Sequence, residues 1–240
     1  MRINKIPILM YHSIEKMPKG TPLRSLHVSP NLFKIQMLIL KILGYKGLSM
    51  GELEPYLLGE KKGKVVGITF DDGYQNIAKN ALNILKKNNF SATCFIVANH
   101  IAKNNSWDIK KGLPKLNLMN SSEVKNWINS GMEIGSHTLN HPDLTNCSPK
   151  ELQNEILDSK NKLEKKFNVC IKHFCYPYGR FNTDVINSVK KFGYFSATTV
   201  KRGRAQSYSD LYTLPRVTIS HRTYPHLFIL KILSSYEEGR

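Results

Sequence analysis

The chain has 240 residues, 41% of them hydrophobic, and no Gly/Ser- or Pro-rich linker divides it, so one α/β domain over residues 1–240 is expected. Its 35 basic and 18 acidic residues give a net charge of +17, which favours anionic surroundings, but no basic helix with interleaved aromatic residues indicates nucleic-acid binding. No stretch approaches the ~20 apolar residues of a membrane span, and the apolar run at residues 6–10 is too short for a secretory signal, so we expect a cytoplasmic protein, free or peripherally bound to a membrane.

Seven short apolar segments along the chain are typical of buried strands. The segment at residues 92–98 is apolar throughout, as strands of parallel sheets are when both faces are covered. The predicted strands cover residues 6–11, 64–70, 92–98, 132–136, 171–176, 194–198 and 212–219.

Helical patterns lie between these strands. Ser29 and Pro30 supply an N-cap and a first-turn proline for the first helix, and Ser148 with Pro149 begins a long charged amphipathic helix in the same way. Residues 99–120 are polar and favour no assignment. The predicted helices cover residues 29–43, 75–88, 121–129, 148–167, 183–191 and 224–236.

The alternation of strand and helix, about seven times over, predicts a parallel sheet with helices outside it. The sheet is either a closed or partly closed β/α barrel or an open doubly wound sheet. Active sites of such folds lie at the carboxyl ends of the strands. Reactive side chains stand at those ends in this chain, which predicts one site formed by His12, Asp71, Asp72, His137, Tyr178 and Arg216.

Two adjacent carboxylates, Asp71 and Asp72, end the strand predicted at residues 64–70. Adjacent residues of an extended segment point to opposite sides, so the two acids need not share a role. Carboxylates at the mouth of a buried strand cost free energy unless a cation or hydrogen bonds compensate them. An ordinary Asp-Gly turn would also explain this sequence, because Gly73 follows.

His137 and His141 follow a later strand and lie four residues apart. Because Pro142 comes next, a loop is favoured over a mid-helix position, and the spacing still permits both imidazoles to bind one ion. Two surface histidines would explain this spacing when it is taken alone. Together with Asp72, however, the two histidines make an open set of three ligands for a divalent metal.

The sequences T-F-D-D-G (residues 69–73) and S-H-T-L-N-H-P (residues 136–142) resemble the first two motifs of the polysaccharide deacetylases, carbohydrate esterase family 4. The resemblance implies a distorted, partly closed (β/α)7 barrel. It also implies metal-dependent removal of an N-acetyl group from an amino sugar. By position, Asp71 is similar to the general base, and the metal ligands are Asp72, His137 and His141. The metal implied is zinc, with cobalt or nickel as substitutes.

The third motif departs from the family pattern. In Y-P-Y-G (residues 176–179) the backbone N–H of Tyr178 matches the family's oxyanion donor. The family usually places before this motif an arginine that positions the base, and this chain has Cys175 there. We expect Arg216 to orient Asp71 instead.

The late histidine motif, which usually supplies the general acid, has only a weak match at His221. Both departures resemble the poly-N-acetylglucosamine deacetylases and their relatives, in which an early Tyr-His motif occurs, matched here by Tyr11 and His12. That resemblance implies His12 as the acid that protonates the leaving amine, with His221 as the alternative. A hydrogen-bonded strand-end histidine would also explain His12. The aromatic candidates for stacking on sugar faces are Tyr74, Trp107, Trp127 and Tyr178, of which Trp127 fits a core position better.

The leading expectation is therefore a metal-dependent carbohydrate N-deacetylase. Its substrate would be an N-acetylated amino-sugar glycan, either a polysaccharide, an oligosaccharide or a lipid-linked precursor. The basic surface adds an anionic membrane or a lipid-phosphate carrier as an expected partner. The alternative is a carbohydrate-binding relative without turnover, which the missing arginine of the third motif motivates.

Overall fold

A computed structural model of the protein describes residues 5–109 and 112–238. Its strands are β1 (Lys5–Ile6), β2 (Ile8–Tyr11), β3 (Lys46–Leu48), β4 (Val65–Phe70), β5 (Thr93–Ile96), β6 (Glu133–Ser136), β7 (His173–Cys175), β8 (Ser196–Arg202), β9 (Ala205–Gln206) and β10 (Leu214–Thr218). Its α-helices are α1 (Pro30–Ile42), α2 (Met50–Leu57), α3 (Gln75–Asn80), α4 (Leu82–Lys87), α5 (Ser106–Ile109), α6 (Ser121–Asn129), α7 (Pro149–Leu152), α8 (Ser159–Phe167), α9 (Thr183–Lys191) and α10 (Pro225–Leu233).

Seven parallel strands form a closed barrel in the order β2-β4-β5-β6-β7-β8-β10, and β10 pairs again with β2. The pairing of β8 with β10 shifts its register between Leu214 and Arg216, which distorts the barrel at that side. β3 pairs only with the first half of β4. The seven barrel strands are the seven that the sequence predicts, so the expected (β/α)7 barrel is confirmed.

Helix boundaries agree with the prediction at α1, α6 and α9 and differ elsewhere. The helix predicted at residues 75–88 is interrupted at Ala81, and the one at 148–167 contains a π-helical turn, Gln153–Asp158, between α7 and α8. β3 and α2 are not predicted at all. Both have weak sequence patterns, because β3 has three residues and α2 contains Pro55.

Close backbone packing fixes the strand that leads into the two site histidines. Gly135 in β6 faces the ring of Phe95 in β5, and a Cβ atom on Gly135 would lie 2.5 Å from that ring. The same atom would lie 2.9 Å from the carbonyl oxygen of His173 in β7. Only glycine therefore lets β6 lie this close to its neighbours, and His137 leaves the barrel from that fixed position.

Candidate active site

Asp71 and Arg216 form a buried ion pair at one end of the barrel. Asp71 follows β4, and Arg216 reaches it from β10 with two parallel hydrogen bonds, Nη1 to Oδ1 at 2.7 Å and Nη2 to Oδ2 at 2.8 Å. The two residues are 2% and 1% exposed, respectively. Arg216 also donates to the carbonyl oxygen of Thr199 and to Oγ1 of Thr69, so the guanidinium is fixed on three sides. The pair is therefore rigid as well as dry.

This pairing sets the charge of Asp71. Burial alone would raise the pKa of the carboxyl group, but the guanidinium of Arg216 opposes that effect by its charge and its hydrogen bonds. The net result is a pKa of Asp71 below the ordinary value for aspartate. Asp71 is therefore an ionised carboxylate at neutral pH, as a general base must be.

Cys175 occupies the place of the family's usual arginine. Its Sγ atom accepts a hydrogen bond from Nη2 of Arg216 at 3.3 Å. The small thiol leaves room for the guanidinium that arrives from β10. The structure thus places Arg216 against Asp71, as the sequence analysis expects, although the positioning role itself stays a prediction.

Asp72, His137 and His141 form a buried cluster beside that pair, each no more than 5% exposed. Oδ1 of Asp72 lies 3.5 Å from Nε2 of each histidine, and the two Nε2 atoms lie 3.1 Å apart. Three donors bound at ~2.1 Å to one tetrahedral ion would lie ~3.4 Å apart. The three side chains therefore fit a divalent metal ion, and their donor atoms can converge on one.

Hydrogen bonding and charge determine the orientation of His137 and the ionisation of Asp72 in this cluster. Nδ1 of His137 lies 2.7 Å from the carbonyl oxygen of Cys175, which can only accept, so Nδ1 carries a proton and Nε2, which faces the cluster, is the nitrogen at which a metal would bind. Burial would raise the pKa of Asp72, but His137 and His141 hold it well below its usual range. Asp72 is therefore an ionised carboxylate at neutral pH.

A second set of side chains, Asp71, His137 and Cys175, also lies within ligand distance of a common point. This set is a poorer cation site, because the guanidinium of Arg216 contacts both Asp71 and Cys175. A positive charge placed there would be repelled at short range. The geometry therefore favours the set built on Asp72.

The loop that carries the two histidines is held by Glu155, which the sequence analysis missed. Oε2 of Glu155 accepts hydrogen bonds from the backbone N–H groups of Leu139 and Asn140, both at 2.9 Å. Oε1 accepts a third from Nδ2 of Asn140 at 2.7 Å. The loop needs such support because Thr138 and His141 both have left-handed backbone angles, φ 68° and 63°. Glu155 lies in the π-helical turn, in a segment where the sequence predicts a regular helix.

The two groups of side chains share one cavity of about 300 Å³. His12 lines it with Nε2 3.8 Å from Oδ2 of Asp71, and Tyr178 lines it with a left-handed φ of 57°. Asp108, from the segment without a sequence assignment, is an additional buried carboxylate at its wall. The apolar part of the lining comes from Met10, Leu23, Leu26 and Val200.

The two candidates for the general acid lie in different places. His12 borders the cavity that contains Asp71, whereas His221 lines a separate cavity together with Arg24 and His27. Of the two, only His12 therefore lies beside Asp71.

The four aromatic candidates for sugar stacking differ in their burial and in their contacts. Tyr74 and Trp127 are fully buried, so the expectation that Tyr74 stacks on a sugar is wrong, while the core assignment of Trp127 is correct. The ring of Trp107 stacks on His141 with centroids 4.7 Å apart and planes inclined by 23°. Tyr178 meets the same imidazole edge-on at 4.6 Å. Trp107 therefore packs against a histidine of the cluster, and Tyr178 is the member of these four candidates that lines the cavity.

Comparison with known proteins identifies relatives along nearly the whole chain. YxkH of Bacillus subtilis (strain 168), assigned by name to the polysaccharide deacetylases, is 33% identical over 218 residues, which cover 90% of this chain and 72% of that protein. The poly-beta-1,6-N-acetyl-D-glucosamine N-deacetylase of Staphylococcus aureus (strain MSSA476) is 28% identical over 247 residues, covering 93% of this chain and 82% of that protein.

Solved structures agree with these relatives. The deacetylase PplD of Streptococcus pyogenes, determined in complex with acetate, superposes with a TM-score of 0.82 at 30% identity over 96% of this chain and 99% of its own. IcaB from Ammonifex degensii shares the fold, with a TM-score of 0.80 at 20% identity over 95% of this chain and 97% of its own. The family model of polysaccharide deacetylases matches residues 58–197, a range that contains Asp71, Asp72, His137, His141 and Tyr178. The chain therefore belongs to the polysaccharide deacetylase family.

Proposed function

We propose that this protein removes the N-acetyl group from an N-acetylated amino sugar by metal-dependent hydrolysis. The observation that carries the proposal is the single cavity lined both by Asp71, which is paired with Arg216, and by the Asp72–His137–His141 cluster. The name of the S. aureus relative supports N-acetylglucosamine as the sugar, and the acetate bound to PplD is the expected second product. The substrate would be a polysaccharide, an oligosaccharide or a lipid-linked precursor.

Asp72, His137 and His141 would hold the metal. Two imidazoles and one carboxylate suit zinc, with cobalt or nickel as substitutes, and three protein ligands leave a position for water or substrate. Such an ion, when bound, polarises an amide carbonyl and lowers the pKa of water.

The remaining residues supply the proton transfers. Asp71, ionised and fixed by Arg216, takes a proton from water as the water oxygen bonds to the acetyl carbon. The backbone N–H of Tyr178 would donate to the oxygen that becomes negative. The bond between carbon and nitrogen then breaks, and His12 gives a proton from Nε2 to the leaving amine. Nε2 of His12 lies 3.8 Å from Oδ2 of Asp71, so the proton acceptor Asp71 and the proton donor His12 can both reach one bound acetamido group.

The position of Arg216 argues against the alternative, a carbohydrate-binding protein without turnover. That alternative depends on the missing arginine of the third motif. A guanidinium is nevertheless bonded to Asp71, although it comes from β10. We therefore infer catalysis rather than binding alone.

Acetate release tests the proposal directly. We expect the purified chain, loaded with Zn²⁺ or Co²⁺, to release acetate and an equal amount of free amine from N-acetylglucosamine oligomers or lipid-linked N-acetylated sugars. Chelation should abolish release and added metal should restore it, while His141→Ala should lose both metal and turnover. Glycan binding by the metal-loaded chain without acetate release would contradict the proposal and favour a binding protein.

Replacing Glu155 should weaken the metal site without touching a ligand. In Glu155→Gln one accepting oxygen becomes an NH₂ group, so the loop from His137 to His141 loses part of its support. We expect Co²⁺ or Zn²⁺ affinity to fall about 10- to 100-fold in a direct titration. Glu151→Gln is the matched control, because the carboxylate of Glu151 bonds to Ser148, where it caps α7. Equal affinities in the two variants would show that Glu155 does not position the site.

A further inference from the structure

The outer faces of α1 and α10 concentrate exposed apolar side chains. Among the described residues, twelve large hydrophobic side chains are exposed, and six of them lie on these two helices with exposed fractions of 36 to 74%. The helices contact each other and follow the neighbouring strands β2 and β10. The six residues, which we call the α1–α10 face, are Ile35, Leu38, Ile42, Ile229, Leu230 and Leu233.

The charges at this face are all positive. Neither α1 nor α10 contains an acidic residue, while Lys34 and Lys41 are exposed on α1 beside Ile35, Leu38 and Ile42. Alternation of exposed lysines with exposed aliphatic side chains on one helix face is typical of helices that lie at a membrane surface. The face therefore combines apolar contact area with attraction for anions.

The acidic residues that follow α10 do not cancel this charge. Glu237 is buried and pairs with Lys231 and Arg202. Glu238 pairs with Lys5 and Arg204. Each carboxylate has two cationic partners, so this segment adds no net negative charge to the face.

A cavity lies where both helices begin. It has a volume of about 410 Å³ and is lined by two cationic side chains, Lys16 and Arg24, and one carboxylate, Glu15, together with the first residues of α1 and the N-cap residue of α10, Tyr224. The segment at residues 23–27 borders both this cavity and the catalytic cavity. This cavity, in which two cationic side chains outnumber one carboxylate, thus joins the α1–α10 face to the site.

We propose that the α1–α10 face binds the surface of an anionic lipid bilayer, with its aliphatic side chains in the headgroup region and its lysines on lipid phosphates. Within residues 5–109 and 112–238, no helix has the length and apolar character needed to cross a membrane, so contact at the surface is the mode this region offers. A second copy of the chain is a poorer occupant, because both copies carry a net charge of +17. The proposal does not depend on deacetylase activity.

Sedimentation with vesicles tests this proposal. We expect the full chain to bind vesicles of phosphatidylcholine with phosphatidylglycerol at least about tenfold more tightly than phosphatidylcholine alone, and more weakly as salt increases. Lys34→Gln with Lys41→Gln should reduce that affinity about tenfold or more. Leu38→Ser with Leu230→Ser should reduce it by a similar factor, because apolar area is lost from the contact.

Matched variants separate the face from general charge and hydrophobicity. Lys165→Gln with Lys166→Gln removes the same charge from α8, and Leu58→Ser removes an exposed leucine beside α2. Both controls should bind vesicles within about twofold of the unmodified chain, because they leave the α1–α10 face and both its lysines unchanged. Absence of binding at low salt, or equal losses in control and test variants, would overturn the proposal. The proposal would also be overturned if the unmodified chain dimerised but did not bind vesicles, and if Leu38→Ser abolished the dimer. The face would then be assigned to self-association.

Discussion

Replacing Asp71 by asparagine should lower the rate of acetate release by about 10²- to 10⁴-fold while metal affinity stays unchanged. The amide cannot take a proton from water, and Asp71 is not one of the three residues whose donor atoms surround the favoured metal position. The amide oxygen can still accept one hydrogen bond from Arg216, so we expect the variant to fold, with a stability lowered by the buried guanidinium that has lost its counter-ion. Turnover of the metal-loaded variant and a metal titration of the same sample measure the two effects.

Asp72→Asn is the counterpart of that variant, because it changes the neighbouring carboxylate. It should lose metal affinity first, since Oδ1 of Asp72 faces both histidines. Turnover in Asp71→Asn close to that of the unmodified protein would rule out the general-base role. Loss of metal in Asp71→Asn would instead assign the ion to the alternative set that contains Cys175.

The architecture could be predicted from the sequence because local patterns carry it. Each barrel strand overlaps a segment that its sequence pattern predicts as a strand, and the polar residues of the site directly follow or lie within strands, as at Asp71 after β4 and His137 after β6. The carboxyl ends of parallel strands meet at one end of a barrel, so these residues are brought together by topology alone. Asp72, His137 and His141 are accordingly within 3.5 Å of one another.

The supporting residues could not be predicted in the same way, because no local pattern marks them. Glu155 looks like any charged residue of an amphipathic helix until the π-helical turn directs it to the loop at residues 138–141. Asp108 belongs to a polar segment without periodicity. Tyr74 is one of four aromatic candidates for stacking on a sugar, but its ring packs in the core. Tertiary packing decides these cases.

Arg216 is a supporting residue that lies far along the chain from the residue it contacts. The pair Arg216–Asp71 is separated by 145 residues, and β10 reaches it across an irregular register with β8. Because no arginine precedes the third motif, the sequence indicates that Asp71 needs another partner, but it does not indicate where in the chain that partner lies. Barrel closure through the pairing of β10 with β2 supplies it.

Arg216→Met should destabilise the protein by about 3 to 5 kcal/mol, because it leaves the carboxylate of Asp71 buried without its counter-ion. Methionine keeps much of the apolar volume, so most of the loss is electrostatic. Without the guanidinium, burial also raises the pKa of Asp71, which moves the acid limb of the activity profile to higher pH. Urea unfolding measures the first effect and the pH dependence of acetate release the second.

Two controls decide whether the buried charge is the cause. Arg180→Met breaks an ion pair with Asp143 in which the arginine side chain is 65% exposed, and it should cost less than about 1 kcal/mol. The double variant Asp71→Asn with Arg216→Met removes both buried charges and should recover much of the stability that Arg216→Met loses. A double variant as unstable as the sum of its parts would show that packing, rather than the paired charges, makes Arg216 important to the fold. In that outcome the low pKa of Asp71 would need another source than this arginine.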